Sequence, residues 1–156
     1  MMGRPATIAV VAVTVASLTV VGLLGSVGGA GTANGATPVA GLDDVAGRWA
    51  PVDDAGAPAP VVGTMSLTFS EGFVLVQTGC NTGRGGASVS GSRLLVDALA
   101  TTRKACPPPL AEQEAWVLDM LTNGPRVELS GPTLTLHWGV DEEFWISLEQ
   151  ADSPSV

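Results

Sequence analysis

Residues 64–78 read TMSLTFSEGFVLVQT, and their pattern decides the fold. Met65, Leu67 and Phe69 alternate with Thr64, Ser66 and Thr68, the period of two that belongs to a half-buried strand. Glu71-Gly72 supplies a turn, and 73–78 (FVLVQT) supplies a second strand. The stretch predicts a β-hairpin.

Working outward, the same grammar recurs. Residues 81–86 (NTGRGG) read as a loop on their glycine content. Residues 87–90 and 93–97 flank Gly91-Ser92, a two-residue hairpin signal. Residues 99–104 form a short extended run. Pro107-Pro108-Pro109 then opens a helix, since proline is well tolerated at a first helical position. Leu110, Val117, Leu118 and Leu121 give that helix an apolar stripe. Glu112 and Glu114 stand in its first turns, where carboxylates favour the positive end of the dipole. Asn123-Gly124-Pro125 ends it. Strands follow at 126–129, 133–138 and 143–148, with Gly131-Pro132 joining the first two. Upstream, 42–50 enters a first strand, and 51–60 (PVDDAGAPAP) reads as loop. The expected fold class is mainly β with one helix, a small curled antiparallel sheet or barrel of about eight strands.

The first 35 residues read differently. No charged residue lies between Arg4 and Asp43, and 8–24 (IAVVAVTVASLTVVGLL) is almost wholly apolar. Arg4 before it and a run of small residues after it complete the pattern of a secretory signal. Ala33-Asn34-Gly35 before Ala36 offers a cleavage site. An uncleaved anchor is the rival reading, since 17 residues at 1.5 Å each span about 26 Å, the short edge of a bilayer core. A buried core helix is a third. No Cys precedes Cys80, which excludes an acylated lipoprotein anchor. The expected organisation is a signal peptide or anchor over 1–35, a linker over 36–42, a folded domain over 43–150 and a tail over 151–156. The chain is expected to be secreted, or extracytoplasmic and anchored by 8–24.

The chain has 156 residues, with 7 Lys+Arg against 15 Asp+Glu and a net charge of −8. Removing the leader takes Arg4 with it, leaving six cations against 15 acids and a charge of −9. That balance argues against nucleic acid, whose phosphates need clustered cations. With 46% hydrophobic and 14% charged residues, wholesale disorder is excluded too. Two Cys and one His cannot build a four-cysteine zinc site.

One constellation stands out: Gly79-Cys80-Asn81, then Gly85, then Thr101-Thr102-Arg103-Lys104-Ala105-Cys106. A helix bearing Glu114, Val117, Leu118 and Leu121 follows. Trp49 stands early, and the strands over 134–148 stand late. This set resembles the META domain family, which includes the HslJ-type heat-shock proteins, and the pairing of GCN with TTRxxC carries the resemblance. Gly86-Ala87 depart from it, since an aromatic often follows the loop glycine there, and the packing under that loop is expected to differ. The resemblance implies an antiparallel sheet wrapped around a helix, no established catalytic residue, and a loose link with envelope stress, drug tolerance and secretion.

Each candidate residue has a plain structural reading beside a functional one. Cys80 and Cys106 are an even pair in an exported chain, which predicts a disulfide. The other reading is a pair of buried thiols, because the family also occurs inside cells. A catalytic cysteine would need a base and an electropositive setting, and the one His is distant in sequence. Asn81, Gly83, Gly85 and Gly86 lack phosphate-loop spacing, and the expected role of Asn81 is to bond amides of its own turn. Thr101, Thr102, Arg103 and Lys104 form either a patch for an acidic partner or a site where Arg103 pairs with Asp97 or Glu114. His137, opposite Leu136 and Trp138, reads as an edge histidine. Asp43-Asp44, Asp53-Asp54 and Asp141-Glu142-Glu143 lack EF-hand spacing and read as solvated turns. No catalytic residue, metal or cofactor is expected. The function expected is that of an exported, non-enzymatic META-domain protein with a binding or envelope stress role. Its partner would be an envelope protein or small ligand, with membrane contact only through an uncleaved leader. The alternative is a disulfide-stapled inhibitor of a cell-wall enzyme or protease, presenting Arg84 from the glycine-rich loop.

Overall fold

The computed structural model describes residues 35–151; the apolar stretch 8–24 and the last five residues lie outside them. Within that range the strands are β1 (Ala36–Thr37), β2 (Gly47–Asp53), β3 (Ser66–Ser70), β4 (Phe73–Gln77), β5 (Thr82–Ser90), β6 (Arg93–Val96) and β7 (Ala100–Thr101). The helix α1 (Pro108–Thr122) follows, then β8 (Arg126–Ser130), β9 (Thr133–Trp138) and β10 (Phe144–Gln150). Eight of these strands close an antiparallel barrel in the order β2-β3-β4-β5-β6-β8-β9-β10, with β10 returning to β2. Closure removes the sheet edges that would otherwise be free to pair.

The central hairpin forms as its periodicity predicts. Phe69 faces Val74 and Leu67 faces Val76 in the register of β3 and β4. Met65, Leu67 and Phe69 are buried with Val74 and Val76. Leu134, Leu136 and Trp138 of β9 and Ile146 and Leu148 of β10 close the core from the far side. Trp116, Val117, Met120 and Leu121 of α1 join the same cluster. Each fully buried aliphatic side chain contributes roughly 1.5–3 kcal/mol. The core draws on residues from Val39 to Leu148, so the barrel carries its own interior.

Four expectations are corrected. The stretch 36–42 is not a linker. Ala36 and Thr37 pair with Ser130 and Leu129 of β8, and Val39 is buried. This strand matters because β6 meets β8 at one ladder position, Arg93 with Arg126, and β1 takes up the rest of that side of β8. Two residues carry no periodicity, which is why the sequence hid them. Second, 42–50 does not begin as strand. Leu42–Val45 is a 3-10 turn whose entry is held by Asp44, its carboxylate accepting from the Ala40 and Gly41 amides at 2.8 and 3.1 Å. Strand β2 then runs on through Pro51, expected in a loop. Proline is tolerated there because the register with β10 shifts at that point, and a bulge needs no proline N–H.

Third, 81–86 is not a loop. From Thr82 onward it is the first half of β5, paired with both β4 and β7. Its glycines provide space rather than turns. A Cβ on Gly83 would stand 2.9 Å from Thr101 Cγ2 and 3.0 Å from Val76 Cγ1. On Gly85 it would stand 3.1 Å from the Asp97 carbonyl oxygen. By contrast, Gly91 and Ser92 do form the expected tight hairpin, both with positive φ (57° and 62°). Fourth, the buried face of α1 is Gln113, Trp116, Val117, Met120 and Leu121, with Leu110 and Leu118 only half-buried. The expected stripe was rotated because it counted aliphatic residues alone.

Candidate functional site

The motif residues meet where the chain leaves β4, passes β7 and enters α1. Gly79 makes the bend after β4 with φ of 95°, and a side chain there would press on Gln113 Nε2 at 2.9 Å. Cys80 and Cys106 are joined by a disulfide, their Cα atoms 6.0 Å apart. The bond ties that bend to the residues just before α1.

Asn81 lies at the centre and is 4% exposed. Its Oδ1 accepts from Thr102 Oγ1 and from the Lys104 amide, both at 2.8 Å. Its Nδ2 donates to Glu114 Oε2 at 2.9 Å, with the Lys104 carbonyl and Cys106 Sγ each at 3.2 Å. Every donor and acceptor of the amide is thereby used. Thr78, also buried, accepts the Asn81 amide at 3.1 Å. The single hydroxyl proton of Thr78 serves either the Asn81 carbonyl at 2.9 Å or Glu114 Oε2 at 3.2 Å. Gln113, 1% exposed, donates to the Thr78 carbonyl at 2.6 Å and accepts from the Val62 amide. Asn81, Gln113 and Glu114 thereby tie together four segments, at Val62, 78–81, 102–106 and α1.

The expectation that Asn81 bonds amides of its own turn is corrected, because its side chain reaches across to 102–106 instead. Thr101 pairs with Gly83 across β7 and β5, and Thr102 Oγ1 accepts from the Thr82 amide at 3.1 Å. Arg103 makes no ion pair with Asp97 or Glu114 among the described residues; Glu114 is taken by Asn81. Gln113, Glu114 and Thr78 were missed as site residues. Gln113 could have been found, since it stands three and four residues before Trp116 and Val117 on the buried face, where a polar side chain needs dedicated partners. Among the described residues, one set of three possible ligand atoms converges within 4.8 Å: Cys80, Cys106 and Glu114. Both sulfurs are committed to the disulfide. A cleft of about 300 Å³ opens beside this node, lined by Thr64, Gln77, Gly79, Cys80, Asn81 and Thr82.

His137 stands elsewhere, on β9. Its Nε2 is 3.7 Å from Glu128 Oε2, and Arg126 bridges Glu128 at 3.1 Å and Glu142 at 2.7 Å. Partial burial, then the Arg126 charge, hold the His137 imidazole below its ordinary pKa. The Arg126 hydrogen bond holds Glu142 below the usual carboxylate range. Both shifts have the same sign for stability. As pH falls below about 6.5 the unfolded chain protonates its histidine before the folded chain does, and stability drops. The Glu142 contribution is present above its ordinary pKa and is lost as pH falls through its depressed folded value. The urea midpoint is therefore expected to decline between pH 7.5 and 5 and again at lower pH. His137→Gln should flatten the upper limb and leave the lower one. An unchanged upper limb in that variant would remove His137 as the cause.

Arg84, expected at a loop tip, lies on β5 with its guanidinium 4.4 Å above the Phe73 ring.

Comparison with known proteins places this geometry. The family model described as META domain matches residues 42–151. A protein structure solved by NMR is similar at 26% identity and a TM-score of 0.56, over 68% of this chain and 90% of that one. A second NMR structure, of a protein from Burkholderia xenovorans, is similar in fold at 20% identity and a TM-score of 0.56, over 72% and 87% of the two chains. No protein of curated function matches.

Proposed function

The chain belongs to the META domain family, and from that premise we propose that it is an exported, non-enzymatic binding protein of the cell envelope. The observation that carries the reading is the node itself. The family residues Asn81 and Thr102 spend their polar side-chain atoms on one another and on the chain, Thr101 pairs β7 with β5, and Gly79 makes the bend. They hold the barrel to its helix and leave no activated nucleophile or free acid–base pair in the node. With these residues committed to the scaffold, the binding reading rests on the outer surface of the barrel.

Export is supported by where the signal-like segment stops. The cleavage site after Gly35 falls directly before Ala36, the first residue of β1. Cleavage there leaves every strand of the barrel on the mature chain. The inhibitor alternative loses its main candidate, because Arg84 lies along a strand and packs on Phe73. N-terminal sequencing of protein from the culture medium is expected to begin near Ala36. Full-length chain recovered from the cytosol would overturn both the cleaved and the anchored forms of this reading.

A further inference from the structure

Acids outnumber cations by more than two to one in this chain, so each cation has many possible partners. Among the described residues only Arg93 and Arg126 form ion pairs with carboxylates. Arg48 touches only the amide of Gln77, at 3.4 Å, and Arg84 rests on Phe73. Arg103 and Lys104 are exposed. Two of these four unpaired cations, Arg48 and Arg84, share one face. Register places Arg48 beside Thr68, Thr68 beside Leu75, Leu75 beside Arg84, and Arg84 beside Ala100. That is one outward row across β2, β3, β4, β5 and β7, with its two arginines about 14 Å apart at normal strand spacing. Arg103 and Lys104 follow one residue after the end of β7.

The same face shows apolar side chains. Phe73 and Leu75 are each 43% exposed on β4. The uncharged cleft beside Gln77 and Thr82 opens along one flank of the row, two residues further along β4 and β5. Glu71 in the β3–β4 turn and Asp97, whose carboxylate lies over Gly86 beside Phe73, border the opposite flank. The centre of the row carries no acid.

We propose that this face binds the surface of a bilayer containing anionic phospholipids. Arg48, Arg84, Arg103 and Lys104 meet headgroup phosphates while Phe73 and Leu75 enter the interfacial layer. Charge complementarity selects an anionic partner. The shape selects a deformable one, because single apolar side chains standing on a barrel wall suit lipid better than the fixed pockets of a folded protein. The row itself carries no acid, whereas α1 carries Glu112 and Asp119 and the turn before β10 carries Asp141, Glu142 and Glu143, and this asymmetry orients the barrel. The inference adds a membrane contact that the sequence placed in the leader alone. It rests on the extracytoplasmic reading only for the leaflet involved, so export and lipid binding fail independently.

The test is flotation of residues 35–156 with vesicles of phosphatidylcholine, with and without phosphatidylglycerol. This piece contains the whole closed barrel and its core and lacks the apolar stretch 8–24. Binding is expected to phosphatidylglycerol vesicles only, and to fall as NaCl is raised. Arg48→Gln and Arg84→Gln should each weaken it about fivefold. Phe73→Ser with Leu75→Ser should weaken it without altering the salt dependence, and Arg93→Gln, already ion-paired elsewhere, should leave it unchanged. Three outcomes would overturn the proposal: equal binding to both vesicle types, no binding to either, or a folded Arg48→Gln/Arg84→Gln variant that binds like the parent. Binding to poly-glutamate but not to lipid would assign the face to an acidic polypeptide, and the membrane proposal would fail.

Discussion

Replacing Asn81 by alanine is expected to lower the stability of the barrel by about 3 kcal/mol. The residue is 4% exposed, and its one amide group joins its own segment to 102–106 and to α1. Its removal strands the Lys104 amide, one proton of Thr102 and the Glu114 carboxylate, each of which had a direct bond at 2.8 or 2.9 Å. An unsatisfied buried group costs roughly 1–3 kcal/mol, but Thr102 and Lys104 are near enough to solvent to recover water, which keeps the total below the simple sum. Asn81→Asp makes the mechanism visible. It preserves the acceptor for Thr102 and Lys104 while replacing the donor to Glu114 Oε2 with a second carboxylate. The loss should be of similar size at neutral pH and should shrink in acid, where one of the two carboxyls takes a proton. Urea unfolding at pH 7 and pH 4.5 measures both. A loss below about 1 kcal/mol for Asn81→Ala, the worth of one ordinary hydrogen bond, would show that the node does not hold the helix to the sheet.

What was legible in the sequence follows from which signals are local. The 64–78 hairpin was readable because side-chain alternation records which face is buried, and the Gly91-Ser92 turn because two consecutive positive φ values select few residues. The closure of the barrel was not readable. Periodicity marks a strand as buried on one side but does not name its neighbour, and the narrowest join, between β6 and β8, has one ladder pair flanked by the bonds Leu94 N–H to Pro125 and Val127 N–H to Ser92. The glycine run at 83–86 was misjudged because glycine has two uses. Local reasoning sees conformational freedom, whereas here the missing Cβ lets β7 and the 97–99 segment approach β5. In the site, Gly79, Cys80, Asn81, Thr101, Thr102 and Cys106 were recognisable as one set. What joins them was not, because Gln113, Glu114 and Thr78 act through a side chain or carbonyl that reaches 33 to 51 residues along the chain. The expected pairing of Arg103 failed for the same reason: Glu114 was already engaged by an amide far away in sequence.

Loss of the Cys80–Cys106 bond is expected to cost about 2–4 kcal/mol while leaving most strand content in place. The two cysteines are 26 residues apart, and closing a loop of that size is worth roughly 3.5 kcal/mol in the chain-entropy model. The damage should concentrate at one junction. Pro107, Pro108 and Pro109 have no amide protons to anchor them, so between Lys104 and the first turn of α1 the disulfide is the main restraint. Residues 102–104, by contrast, are also held by Asn81 and by the exchange of bonds between Thr82 and Thr102. After reduction the strands should therefore keep their pairing while the amides of the first turns of α1 lose protection from hydrogen exchange. Because Asn81 and the disulfide restrain the same segment, a Cys80→Ala/Cys106→Ala variant combined with Asn81→Ala should lose more than the two separate losses added together. Additive losses would mean that the two restraints act independently, and the picture of one shared clamp would be wrong. Thiol titration of the unfolded, unreduced protein tests the bond itself. Two free thiols per chain would mean that the cysteines sit side by side unbonded, and the clamp would then rest on Asn81, Gln113 and Glu114 alone.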